Sequence, residues 1–137
     1  MCYEIRWFDE NKSIVYAYFP SNTTWEDYLD CGTTFQQLAQ ENPNKLIFLI
    51  IDILEAPFRI PPNLFTELRH FVNDGQVNIP NWGMTIIIDR IGHQQLLSSV
   101  LFFLKIFTNK FSSATTLDEA VQIIKAHKNT FLYSRVH

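Results

Sequence analysis

The sequence predicts an α/β fold, with a mixed and mostly parallel sheet that opens on an N-terminal hairpin and carries helices packed on it. Two observations predict it. The runs at 46–52 and 84–89 are apolar without two-residue alternation and rich in β-branched side chains, as central parallel strands read when both faces are covered. Between and around them stand longer segments whose apolar residues recur every three or four positions, the period of a helix with one buried stripe. A length of 137 residues suits one domain with a core of its own, taken here as 1–137.

Residues 3–8 and 13–19 are rich in Ile, Val, Tyr, Trp and Phe and are separated by Asp9-Glu10-Asn11-Lys12, which predicts two strands joined by a hairpin loop. In the second, Ile14, Tyr16 and Tyr18 alternate with Val15, Ala17 and Phe19, so neither face reads as solvent. Pro20-Ser21-Asn22 breaks the strand. Thr24 with Asp27 three residues on is a capping-box relative, opening a helix over 25–40. Its stripe is Trp25, Tyr28, Leu29, Gly32, Phe35, Leu38 and Ala39; Gly32 marks either close approach to the sheet or a local break.

A strand is expected over 45–54, interrupted by Asp52, then a loop over 55–60 and a helix from Pro61-Pro62 to Val72. The strand at 84–88 ends on Asp89. A third helix over 93–107 carries more apolar residues than one face hides, so a partner subunit, the C-terminal tail or a neighbouring helix must cover the surplus. A short strand at 111–115 and a capping box at Thr116 and Glu119 follow, with a helix to about His127; the FLYSRVH tail packs as an extra strand or frays. The order β-β-α-β-α-β-α-β-α requires crossovers onto a largely parallel sheet.

Composition excludes several functions. The formal net charge is −3 and the basic residues do not cluster, which argues against nucleic acid. Four scattered glycines build no phosphate-cradling loop. His70, His93, His127 and His137 lack metal spacing, and no serine lies in a nucleophile elbow, so neither a metal, a cofactor nor a catalytic residue is assigned. Cys2 and Cys31 read as free thiols, and with no leader peptide or membrane-length apolar run this places the chain in the cytoplasm.

Three candidate sites remain. Asp52 and Asp89 end two parallel strands, where ligands sit in open α/β sheets; they serve as a carboxylate rim for a metal or for acid–base work, or merely cap loops. The stiff loop EAPFRIPP offers Phe58 and Ile60 as a contact surface with Arg59 at its rim and Asn63 at the following helix start, or folds back as a lid. Phe102 and Ile106, four residues apart on the third helix, are the candidate homodimer surface.

The pattern resembles the STAS superfamily, the anti-sigma-factor-antagonist and sulfate-transporter-tail domains, and most of all its small stand-alone bacterial proteins. The residues that carry the resemblance are Tyr3-Glu4-Ile5-Arg6-Trp7-Phe8, Thr24-Trp25-Glu26-Asp27, Ile50-Ile51-Asp52, the helix after Pro61-Pro62, Ile86-Ile87-Ile88 and Thr116-Leu117-Asp118-Glu119-Ala120. The resemblance implies one STAS-like domain and a non-enzymatic protein-interaction or regulatory role. In anti-sigma antagonists a phosphorylated Ser or Thr opens the helix that here begins Pro61-Pro62-Asn63-Leu64. No hydroxyl stands there, and Thr66 is the first to follow. A likeness to lipid-carrying Sec14-type domains implies an apolar ligand instead. The alternative expectation is accordingly a small-molecule or lipid binding domain, or a weak hydrolase, using the carboxylate rim.

Overall fold

The structure is a computed structural model and describes residues 3–56, 66, 79–90 and 110–136, with side chains to residue 129. Among the described residues five strands form one sheet: β1 (Glu4–Trp7), β2 (Ile14–Tyr18), β3 (Ile47–Asp52), β4 (Trp82–Ile88) and β5 (Phe111–Ala114), in spatial order β1-β2-β3-β4-β5. β1 pairs antiparallel with β2 and every other pairing is parallel, the mixed sheet that the sequence predicts. Helix α1 (Trp25–Gln40) covers one face and α2 (Leu117–Val136) the other.

Local chemistry explains the elements. Lys12 donates its backbone N–H to the Asp9 carbonyl at 3.2 Å and takes a φ of 53°, so the hairpin turns through one left-handed residue. The Thr24 hydroxyl accepts from the Asp27 amide at 3.3 Å while Asp27 accepts from the Thr24 amide at 2.9 Å, a complete capping box that starts α1. The helix runs unbroken through Gly32. Its buried stripe includes Cys31 along with Phe35 and Ala39. At the far end Asn81 donates to the carbonyls of Ala39, in the last turn, and Asn42, just past it, at 2.8 and 3.0 Å, adding a second bond to each and tying the end of the helix to the start of β4.

Alternation then sorts the core. Val15, Ala17, Ile47, Leu49 and Ile53 pack under α1, whereas Ile14, Phe48, Ile50, Ile86 and Ile88 pack under α2 with Ala120 and Ile124. β4 carries an irregularity: Ile47 pairs with Trp82 but Leu49 pairs with Thr85, so one extra residue stands opposite Phe48. That bulge contains Gly83. A Cβ there would lie 2.7 Å from two ring carbons of Phe48, so the glycine admits the ring.

Two expectations need correction. The last helix does not stop near His127 with its tail in a strand; α2 continues to Val136, because residues 128–136 contain neither Gly nor Pro to end it. The β4 strand begins at Trp82 rather than Met84. Of the expected helix at 61–72 only Thr66 is described, helical and exposed, and the helix at 93–107 lies outside the described residues.

Candidate functional site

The carboxyl ends of the parallel strands are the natural place to look for a site. Asp52 is the last residue of β3 and is 8% exposed; Asp89 follows β4 directly and is fully buried. Asp52 pairs in register with Ile88, so its side chain shares the α2 face, and Asp89, one residue further, turns to the α1 face. The sheet therefore separates the two carboxylates.

Each carboxylate has local partners. Asp52 accepts the Tyr16 hydroxyl with one oxygen and the Leu54 amide, at 3.1 Å, with the other. Burial, the hydrogen bond to Asp52 and the nearby carboxylate charge push the Tyr16 phenol well above its ordinary range, against the Arg6 guanidinium 5.3 Å from its ring centre. Tyr16 is a fixed hydrogen-bond donor at neutral pH, not a base. Next to it the Tyr18 hydroxyl donates to Glu55. Asp89 accepts the Arg90 amide at 2.7 Å, and Arg90 Nε donates to the Leu54 carbonyl at 2.8 Å, tying the exits of β3 and β4 together.

On the α1 side the first turns of the helix bring Trp25 and Tyr28 to the same rim. Tyr28 stacks obliquely on Phe19, with centroids 4.6 Å apart, and meets Trp25 edge-on at 6.2 Å. Burial, then the charges of Asp89 and Asp27, push its phenol up to about 12. The Trp25 Nε1–H and the Tyr28 hydroxyl are both buried and have no hydrogen-bond partner among the described residues. The sequence signals these residues only as part of an apolar stripe.

A second polar cluster occupies the amino-terminal rim, and it escaped the sequence reading because its members lie far apart in the chain. Asp9 accepts the amides of Ser13 and Ile14, each at 2.9 Å, and the Ser13 hydroxyl at 2.5 Å. Lys128 Nζ donates to the same hydroxyl at 2.9 Å. Burial raises the pKa of Asp9, but the hydrogen bonds from Ser13 and Ile14 outweigh it and hold the carboxyl below its usual value. The Ser13 hydroxyl gives its proton to the Asp9 bond and accepts from Lys128, so the lysine faces it as a hydrogen-bond donor and the trio lacks the geometry of a base-activated nucleophile.

Among the described residues no group of three or more His, Cys, Asp or Glu side chains is arranged to hold a metal, and no helix is long and apolar enough to cross a membrane. Burial pushes the Cys31 thiol up to about 12, an unreactive state. Phe58, Arg59, Ile60 and Asn63, and the dimer candidates Phe102 and Ile106, lie outside the described residues. Comparison with protein families, with curated proteins and with solved structures gives no match.

Proposed function

We propose that the protein is a non-enzymatic interaction or regulatory module of STAS type, docking a protein partner through the loop at 57–62 and the residues that follow it. The observation that supports this reading is that Asp52 and Asp89 alternate toward opposite faces and each accepts local hydrogen bonds, as loop-capping carboxylates do. The antiparallel hairpin leading into four parallel-paired strands supports the same family type. Ala56 is buried at the carboxyl rim, so the loop after it starts from a firmly held point.

The test is affinity capture from the native cell, comparing the chain with a Phe58→Ala/Ile60→Asp variant whose folding is verified by circular dichroism. A partner enriched by the parent chain and lost with the variant is the expected result. Undiminished capture by the variant removes the loop, and enrichment of nothing above a tag-only control removes the interaction role.

A second reading, a small polar ligand at the rim, draws on the buried Trp25 and Tyr28 donors. A thermal-shift screen of small alcohols, amides and carboxylic acids tests it. A hit must lose its effect in Trp25→Phe and Tyr28→Phe, and a screen in which no compound stabilises the chain eliminates the reading.

A further inference from the structure

The described side chains of α2 run from Leu117 to Asn129. Among them Ala120 and Ile124 are buried, and Lys125 and Ala126 are exposed. Beyond them the described contacts with the sheet gather around Phe48 and Ser13. The His127 ring meets Phe48 edge-on at 5.8 Å, the Lys128 ammonium stands 5.4 Å from the same ring centre, and that ammonium donates to Ser13 Oγ.

The Ser13 hydroxyl, on a residue only 8% exposed, sits between opposite charges, donating to the Asp9 carboxylate and accepting from Lys128. Its single proton is oriented by both neighbours at once. Remove the negative charge and the hydroxyl loses the acceptor that turns its lone pair toward the lysine; remove the positive charge and the helix loses its grip on the hairpin. Asp9 also holds the turn itself through the Ser13 and Ile14 amides, so the lysine is moored to a rigid post. From these contacts we propose that Asp9, Ser13 and Lys128 form a charge-operated latch that closes the second half of α2 over Phe48. Neutralising either end opens it and uncovers the Phe48 ring; the latch uses none of the residues of the proposed docking loop, so it stands or falls independently of that loop.

Hydrogen exchange of the full chain, resolved by segment, tests the latch in Lys128→Met, Asp9→Asn, the double variant and Lys128→Arg. Charge-assisted bonds of this kind predict amides of residues 121–129 exchanging about ten to a hundred times faster in each single variant. The double variant is expected to exchange no faster than the worse single, since both break one device, and Lys128→Arg to restore protection because it keeps charge and reach. Unchanged exchange in both singles overturns the proposal. So does equal acceleration in β3 and α1, which reports global loss of stability, or acceleration that multiplies in the double variant.

Discussion

Gly83→Ala puts opposing effects in competition at one methyl group. Replacing a glycine within a strand ordinarily stabilises, because the unfolded chain loses freedom; the gain is about 0.5–1 kcal/mol. Here the new Cβ falls 2.7 Å from Cε1 and Cζ of Phe48 and 3.0 Å from Cδ1. Carbon pairs prefer about 3.5–4.0 Å, so the ring must retreat by most of an ångström. It has little room to do so: Phe48 is fully buried in β3, with the His127 edge and the Lys128 ammonium against it. Overpacking of this kind costs about 1–3 kcal/mol, which outweighs the entropic gain and leaves a net destabilisation of about 1–2 kcal/mol. Urea unfolding followed by circular dichroism reads this as a lower midpoint at an unchanged slope. Repeating the substitution in a Phe48→Leu background, where the ring is gone, should recover at least about 0.5 kcal/mol of the cost. A Gly83→Ala chain as stable as the parent, or equally destabilised in both backgrounds, would refute the close packing of Phe48 on the β4 bulge.

Other expectations follow from single contacts. Asp9 has a folded pKa below its unfolded value, so its contribution to stability is fully present above about pH 4, disappears as the pH falls through the folded pKa, and is absent from the acid unfolding profile of Asp9→Asn. Thr24→Ala removes the hydroxyl that accepts the Asp27 amide and should lower the unfolding free energy by about 1 kcal/mol; no change in the urea midpoint would mean that the capping box does not hold α1. Tyr28→Phe deletes a buried hydroxyl that has no partner among the described residues, so stability should stay level or rise by up to about 1 kcal/mol, and a clear loss would show that the hydroxyl is satisfied in solution. Ile50→Ala, in the middle of the α2-side core, should cost about 2–5 kcal/mol in the same urea assay.

Much of this architecture is local and therefore written along the chain. The unalternating runs that became β3 and β4, the hairpin around Asp9 to Lys12 and the Thr24 cap depend on neighbours within a few residues, where period, β-branching and hydrogen-bonding side chains act directly. The capping box at the last helix was legible only in part. Thr116 accepts the Glu119 amide at 3.1 Å, but Glu119 reaches past the cap to the hydroxyl and amide of Thr115.

Other features required the strands to be paired. Asp52 and Asp89 look alike in sequence, each closing an apolar run, and which face each takes depends on the register between β3 and β4. One inserted residue reverses a side chain's face, and the extra residue at Gly83 does that within β4, which also kept Trp82 and Gly83 out of the expected strand. Ser13 and Lys128 stand 115 positions apart, and only the docking of α2 on the sheet brings hydroxyl and ammonium to 2.9 Å. Helix periods, caps and strand runs arise from contacts a few residues long. Facing, register and long-range polar contacts arise from how complete elements pack, and no short window of sequence contains that.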